Sequence, residues 1–137
     1  MSPLREKILE AIVKKSTLKQ QIFDNTFSTF NDLKETLFEM ASEIDDELDG
    51  KLDRRVRIEY RDRGKFEAQL QVASDILLVQ MHTDVFEFDS NHIIWQNNYV
   101  QQDKNNSYVG VINIYNFLSD SLKYNRTADE GYLIGRI

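Results

Sequence analysis

The N-terminal third of the chain carries apolar side chains at helical spacing. Ser2 followed by Pro3 predicts a helix start, because the serine oxygen can cap free N–H groups and proline at the first helical position has no N–H to lose. From Phe23 onward, apolar residues recur at intervals of three, four or seven, as in an amphipathic helix. The members of this stripe are Phe23, Phe27, Phe30, Leu37, Ala41, Ile44 and Leu48. Asp49-Gly50 predicts the helix end, since glycine readily closes a helix.

A break in this helical region is expected near Thr17. Thr17 and Gln20 have the form of a capping box, so a second helix is expected to begin there. The apolar stripe of residues 4–22 is out of phase with the later one, and a single straight helix could not bury both on one side. The later stripe is longer than a typical strand, which predicts that a second copy of the chain covers part of it. A break near Thr17 or Asn25 would instead fold the helices into a hairpin within one chain.

After the helical region, the apolar period changes to two, which predicts half-buried strands. Apolar and charged residues alternate over residues 56–61, and a second alternating run covers residues 66–72. A three-residue loop, Asp62-Arg63-Gly64, would place Tyr60 opposite Phe66 and keep both apolar sets on one face.

The next segments predict the rest of a sheet. Residues 76–81 are apolar at consecutive positions, as expected of a central strand covered on both faces. Turn residues then separate two shorter strands, at residues 85–88 and 92–95, which complete a meander of five strands. A polar loop over residues 96–107 precedes a sixth strand at residues 108–112.

Two further elements complete the predicted fold. Val111, Ile114, Tyr115, Leu118 and Leu122 fit a helix near residues 113–124. Residues 132–137 are strand-like and lack a polar taper, so we expect them to pair within the sheet or to continue beyond Ile137. The predicted fold class is α+β, with N-terminal helices packed on a five- to six-stranded, mainly antiparallel sheet and a late helix before the last strand. Residues 1–137 are expected to form a single domain, with a helical part over 1–50 and a sheet part over 51–137.

Composition narrows the classes of partner. Seventeen Lys and Arg residues stand against 23 Asp and Glu, a formal net charge of −6, which disfavours nucleic acid and anionic membranes as partners. The absence of cysteine excludes disulfides, thiolate nucleophiles and cysteine-based zinc sites, and it fits a reducing compartment. No apolar run reaches the length of a membrane span or a signal-peptide core, so a cytoplasmic protein is expected.

An acidic run matches a calcium-binding loop only in part. The matching positions are Asp45, Glu47, Asp49, Gly50 and Asp53. Val56 stands at the last position of that loop, where a bidentate carboxylate is required. The sequence therefore predicts no calcium site, and we expect no cofactor.

One basic cluster lies in and around the first predicted strand. Its members are Arg54, Arg55, Arg57, Arg61 and Arg63. Guanidinium groups on an outer strand face can bind a phosphate or a carboxylate in a bidentate manner. Charge protection of an edge strand, or pairing with the acidic run, would explain the same residues. Arg55, Arg57 and Arg61 are therefore candidate binding residues, with both interpretations open.

Two other groups are candidate binding residues. His82 and His92 are the only histidines, and with nearby aspartates they have the composition of a metal site or of a His–Asp base. Histidine and aspartate are also ordinary turn residues. Tyr115 and Arg126 belong to an aromatic and polar segment that would suit a ligand or partner surface, or simply a helix packed on a sheet.

The sequence leaves three classes of function open. It contains no nucleophile elbow, no phosphate-binding loop and no dinucleotide fingerprint. The leading hypothesis is a non-enzymatic interaction or adaptor module that binds a protein partner or forms a homodimer. The alternative is a small-molecule sensor, which would need a pocket between helix and sheet. The third is an enzyme that uses His82 or His92 with nearby carboxylates.

Overall fold

The computed structural model describes residues 2–48, 58–118 and 131–137 of the chain. Its helices and strands are α1 (Pro3–Leu48), β1 (Ile58–Asp62), β2 (Glu67–Val72), β3 (Asp75–Met81), β4 (Phe86–Glu87), α2 (Asn98–Gln102), β5 (Tyr108–Val109), β6 (Ile112–Leu118) and β7 (Tyr132–Arg136). All described strand pairs are antiparallel. The fold is α+β, as the hydrophobic pattern predicted.

Helix α1 begins where predicted and continues without a break. The Ser2 side-chain oxygen accepts a hydrogen bond of 3.2 Å from a backbone N–H of the first turn. The expected second helix start at Thr17 is wrong, because the Thr17 hydroxyl donates to the Val13 carbonyl oxygen at 2.8 Å within the helix. Gln20 donates to Asp24 at 3.0 Å instead of reaching back toward Thr17. Both side chains therefore support a continuous helix rather than a capping box.

The main sheet has the order β1-β2-β3-β6-β7, with β3 at its centre as predicted. The expected β1–β2 register is wrong, since Tyr60 lies opposite Leu70 instead of Phe66. The loop between β1 and β2 comprises residues 63–66 rather than three residues. Within this turn the Asp62 carboxylate accepts the Gly64 N–H at 2.9 Å, and Gly64 adopts a φ of 122°, which favours glycine. The register has moved by an even number of residues, so the apolar set remains on one face.

The helix expected near residues 113–124 is wrong over its described part. Ile112–Leu118 forms β6, which pairs with β3 along its whole length. β6 pairs with β3 on one side and with β7 on the other, so its backbone N–H and C=O groups are hydrogen-bonded. This pairing outweighs the helical spacing of its apolar residues. Residues 119–124 lie outside the described residues. The helix that precedes the last strands is α2 (Asn98–Gln102), and the final strand is present as β7.

Contacts between residues divide the chain into two compact units. The loop unit comprises Met1–Thr26 and Thr83–Val111, and the sheet unit comprises Phe27–His82 and Ile112–Ile137. Helix α1 therefore contributes its first part to the loop unit and the rest to the sheet unit. The single domain expected over residues 1–137 stays a prediction.

Short capped helices dominate the loop unit. The strand expected at residues 92–95 is wrong, because a 3₁₀ helix occupies Ile93–Gln96. His92 Nδ1 accepts the Ile94 N–H at 3.0 Å and so starts this helix. Asn97 and Asp103 cap α2 and a second 3₁₀ helix in the same way, each at 2.9 Å. The expected strand at residues 85–88 shortens to β4, which pairs with β5 in a separate two-stranded sheet.

In the sheet unit, α1 packs on one face of the main sheet. Phe27 contacts Phe66 edge to face with ring centroids 5.7 Å apart, and Phe38 contacts Tyr60 at 5.8 Å. The buried apolar residues of this layer are Phe30, Ala41, Ala68, Val79, Met81 and Ile112. Burial of these side chains under the helix forms the hydrophobic core of the unit.

Candidate functional site

The sequence-predicted binding residues do not form one compact site. Arg55, Arg57 and Arg126 lie outside the described residues, as do Asp49, Gly50, Asp53 and Val56 of the partial calcium-loop match. Arg61 and Tyr115 lie on the sheet face opposite α1, in one cross-strand row that also contains Gln69 and Leu78. They are three strand spacings apart, about 14 Å at the usual distance between strands. A small ligand would therefore not bridge them.

Polar side chains on this outer sheet face bond to each other. Gln69 accepts a hydrogen bond of 2.7 Å from Arg63, and Gln80 donates to Glu67 at 2.9 Å. Arg61 lies 3.3 Å from Glu59. The described arginines of the basic cluster thus pair with strand residues, which favours a structural interpretation over anion binding.

The two histidines belong to different units. His82 follows β3 in the sheet unit, whereas His92 caps a 3₁₀ helix in the loop unit and lies against Phe88 with ring centroids 4.7 Å apart. Because Nδ1 of His92 already accepts a backbone N–H, its position is explained by capping. Within residues 2–48, 58–118 and 131–137, no group of three His, Cys, Asp or Glu side chains has the geometry of a metal site.

Lys34 is the one break in the later apolar stripe of α1, and it fastens the helix to the sheet. Its side chain is 12 % exposed, and Nζ donates to Asp62 at 3.0 Å and to the Gly64 carbonyl oxygen at 2.6 Å. The Gly64 N–H and the Lys34 ammonium lower the pKa of Asp62. Burial, and secondly the Asp62 charge, raise the pKa of Tyr60. Lys34, Asp62 and Gly64 bond to each other, so we assign them a structural role.

A groove lies in the loop unit, between α1 and the segment that precedes β4. Its volume is about 530 Å³, and its lining residues are Ser16, Lys19, Gln20, Phe23, Thr83, Asp84, Val85 and Phe86. Only Phe23 and Val85 among them are half-buried, and the others are exposed. The groove is thus an open surface feature lined by one lysine, one aspartate, three other polar residues and three apolar residues.

A row of exposed apolar side chains occupies the first turns of α1. We call Leu4, Ile8, Leu9, Ile12 and Val13 the N-terminal ridge. These side chains are 44–69 % exposed, whereas Phe30 and Ala41 of the same helix are buried. Their helical spacing was visible in the sequence, but their exposure was not, because it depends on what packs against them. An exposed apolar patch of this kind typically marks an interaction surface.

A second exposed apolar surface lies at the end of the main sheet. β7 is the last strand in the sheet order, and no described strand pairs with its other side. Its apolar residues Tyr132, Leu133 and Ile134, and Ile137 after it, are 46–71 % exposed. We call residues 132–137 the β7 edge. The sequence predicted this strand from its apolar composition, and an exposed edge strand can accept a strand of another chain.

Some backbone hydrogen-bonding groups of the β7 edge point away from β6. Ile112 and Ile137 exchange both backbone hydrogen bonds, at 2.9 and 2.8 Å. Bonded and non-bonded pairs alternate in an antiparallel ladder, so the next pair, Asn113 and Arg136, turns its N–H and C=O groups away from the shared side. The Arg136 backbone therefore points out of the sheet, while its side chain is fixed by a 2.8 Å bond from Nε to Asn113.

Comparison with known proteins gives no match to a family model, to a curated protein or to a solved structure. Among the residues that the structure describes, none of the helices combines the length and apolar character needed to cross a membrane. The N-terminal ridge, the β7 edge and the groove are therefore the candidate functional surfaces of the described residues.

Proposed function

We propose that the chain is a cytoplasmic, non-enzymatic interaction module that binds an extended segment of a partner protein at the β7 edge. The observation that carries this proposal is a strand at the end of the sheet whose outer side pairs with none of the described strands and whose apolar side chains are exposed. A partner strand would satisfy the outward N–H and C=O groups and cover those side chains. Binding by strand addition needs no catalytic residues.

The chemistry of β7 supports this proposal. Sheets usually protect a free edge with proline, lysine or inward charges, and β7 carries only Arg136 as a charged residue. A register shift between Ile114 and Tyr115 places a bulge near Ile134. The bulge interrupts the regular ladder, so the partner segment should be short, with apolar residues at alternating positions. Gly131, which precedes the strand, lies so close to the Phe117 ring that a Cβ there would collide with it.

A peptide-display selection tests the proposal. A random peptide library is selected on the wild-type chain, and the enriched peptides are measured against Arg136→Pro and Arg136→Ala. Proline removes the outward N–H and is tolerated on edge strands, whereas alanine keeps that N–H and removes only the side chain. We expect peptides with alternating apolar residues whose affinity falls about tenfold with Arg136→Pro, because one backbone hydrogen bond is lost and its acceptor on the peptide is left unpaired, and much less with Arg136→Ala. Peptides that bind both variants equally would contradict strand addition.

A second candidate function follows from the groove in the loop unit. Its volume of about 530 Å³ lies in the range of small-molecule sites, and Lys19 beside Phe23 and Val85 would suit a small carboxylate with an apolar body. It ranks second because most of its lining is exposed, whereas ligand sites usually enclose most of the ligand surface. Benzoate is a suitable probe. Chemical-shift changes that are confined to residues 83–86 and abolished by Lys19→Ala would support a sensor. Spectra unchanged at millimolar benzoate would exclude this second function.

A further inference from the structure

The N-terminal ridge is a coherent surface on one side of α1. Leu4, Ile8 and Ile12 follow each other at intervals of four, as do Leu9 and Val13. Ile12 is also three residues from Leu9, so the two rows adjoin on the helix surface, and side chains in such rows interdigitate with those of another helix. All five residues belong to the loop unit and are at least 44 % exposed, so the rest of the chain leaves much of this surface open.

Three basic side chains lie on the same side of the helix as the ridge. Arg5 is four residues before Leu9, and Lys15 and Lys19 follow Ile12 by three and seven residues. All three are exposed, and no carboxylate of the described part of the chain forms an ion pair with them. The ridge therefore combines apolar side chains with positive charges that lack a carboxylate partner.

The acidic side chains of the same segment do not neutralise this surface. Glu10 lies on the opposite side of α1, three residues after Lys7 and four before Lys14. Glu6 borders the ridge beside Val13, from which it is seven residues away. One carboxylate at the border thus stands against three basic side chains, and the ridge surface is positively charged.

Lys34, further along the same side of α1, shows how the chain accommodates a charge within an apolar stripe. It lies four residues after the buried Phe30, and its Nζ donates to Asp62 at 3.0 Å. The surface that covers this part of the helix thus supplies apolar contacts together with a carboxylate acceptor. A partner of the ridge needs the same two features, because burial of apolar surface is favourable whereas burial of an unpaired cation is costly.

A single acidic helix suits the ridge better than an anionic bilayer or a second ridge. The Thr83–Val111 segment of the loop unit carries four acidic side chains and one lysine, and its residues 83–86 line the groove together with Lys19. A flat bilayer would bring lipid phosphates near these carboxylates, whereas a helix contacts only the ridge. Two ridges facing each other would bring Arg5, Lys15 and Lys19 of both copies together, and these like charges repel. Charge therefore favours a partner helix.

From these features we infer that the N-terminal ridge binds an acidic amphipathic helix of a partner protein. The surface from Leu4 to Lys19 is about 22 Å long at 1.5 Å per residue, which corresponds to about four turns of the partner. Apolar side chains of the partner, at intervals of three and four, pack on the ridge, and carboxylates beside them pair with Arg5, Lys15 and Lys19. The site lies within the loop unit and does not rest on strand addition at the β7 edge.

A selection from a library of helical peptides tests the inference. Each peptide is a four-turn helix with leucine along one side, and the positions beside the leucines vary among glutamate, lysine and glutamine. We expect glutamate to be enriched at those positions on the wild-type chain, because it meets the basic side chains of the ridge. Amide chemical shifts of residues 4–19 should change when an enriched peptide binds. Enrichment of lysine, or of no helix at all, would overturn the inference.

Charge reversal on the two sides of α1 provides a matched comparison. One variant carries Arg5→Glu and Lys15→Glu on the ridge side, and the other carries Lys7→Glu and Lys14→Glu on the opposite side. All four side chains are exposed, so both variants should fold, and they change the net charge equally. At low salt, the affinity for an enriched peptide should fall about tenfold in the first variant and less than about twofold in the second. Equal losses would mean non-specific attraction and would contradict a site on the ridge.

An apolar variant separates this site from other occupants and from the β7 edge. Ile12→Gln should weaken binding of the enriched peptide at least about tenfold, since it removes an apolar side chain from the contact. Arg136→Pro should leave that affinity unchanged, because it alters only the β7 edge. A wild-type dimer that Ile12→Gln dissociates would show that a second copy covers the ridge, and binding of phosphatidylserine vesicles that the same variant abolishes would show a lipid site. Either result would refute a partner helix.

Discussion

In the sheet unit, order comes from long-range pairing and from a buried layer, whereas in the loop unit it comes mainly from local hydrogen bonds. β3 pairs along its length with β2 and β6, and α1 buries apolar side chains against the same sheet. Besides the first part of α1, the loop unit has strands of two residues and three helices of four or five residues, and a capping side chain starts each of these short helices. Of its described apolar residues, only Val100 is fully buried. Cooperative unfolding should therefore be stronger in the sheet unit, and local opening easier in the loop unit.

The largest predicted effect is in the core of the sheet unit. Ile112 is 2 % exposed, and Ile112→Ala should lower the free energy of unfolding by about 2–5 kcal/mol by leaving a cavity. The matched change in the loop unit is Val100→Ala, at a residue that is 1 % exposed. Hydrogen exchange should show faster exchange throughout the sheet unit for Ile112→Ala, and within residues 83–111 alone for Val100→Ala. If both variants accelerated hydrogen exchange equally along the whole chain, the two units would not differ in how they unfold.

A smaller effect is expected where Lys34 joins helix and sheet. Lys34→Met keeps the length of the side chain and removes its bonds to Asp62 and Gly64, so it should cost about 1 kcal/mol, since Asp62 is mainly exposed. Denaturant unfolding measures the change. Lys65→Met, which removes a lysine whose Nζ lies 5.7 Å from the Phe27 ring, is a control in the same unit and should cost less.

The same contact should also show in acid. The folded-state pKa of Asp62 lies below its ordinary value of 3.8, so the contact stabilises the fold above that pH and is lost as the pH falls through the lowered value. Stability measured across this acid range should decline less steeply in Asp62→Asn than in the wild type. Identical slopes would show that Asp62 is not responsible.

The third effect, on stability within the loop unit, concerns the side chain that caps its first 3₁₀ helix. His92→Ala removes the acceptor for the Ile94 N–H and should cost about 0.5–2 kcal/mol, whereas His92→Asn should retain most of the capping. The amides of Ile94 and Trp95 should exchange faster in the alanine variant, with the sheet unit unchanged. Loss of protection in β3 as well would mean that the units do not open separately.

The sequence predicted elements best where the local signal and the tertiary structure agree. The start of α1 at Ser2, the central position of β3 and the final strand follow from capping, from two-sided apolar burial and from strand-like composition. Thr17 and the residues of β6 misled the prediction, because a hydroxyl can bond within a helix and a strand can carry residues at helical spacing. Tertiary pairing decides such cases, and it is not visible in local periodicity.

The functional surfaces were predictable only in part. The strand at residues 132–137 was predicted from its apolar composition, whereas its position at the sheet edge and the exposure of the N-terminal ridge depend on which surfaces pack together. Arg61 and Tyr115 were proposed as binding residues from side-chain type alone, and the register sets them too far apart for one small ligand. Lys34 carried a usable signal, since a lysine within an apolar stripe indicates a specific partner for its charge.

If a partner strand completes the ladder at the β7 edge, hydrogen exchange of two adjacent amides, those of Arg136 and Ile137, should reveal it. The Ile137 N–H is bonded to the Ile112 carbonyl oxygen, so it should exchange slowly with or without a selected peptide. The Arg136 N–H points out of the sheet, so it should exchange rapidly in the free chain and slowly once the peptide is bound. Slow exchange of the Arg136 amide in the free chain, or no change when the peptide binds, would contradict the account.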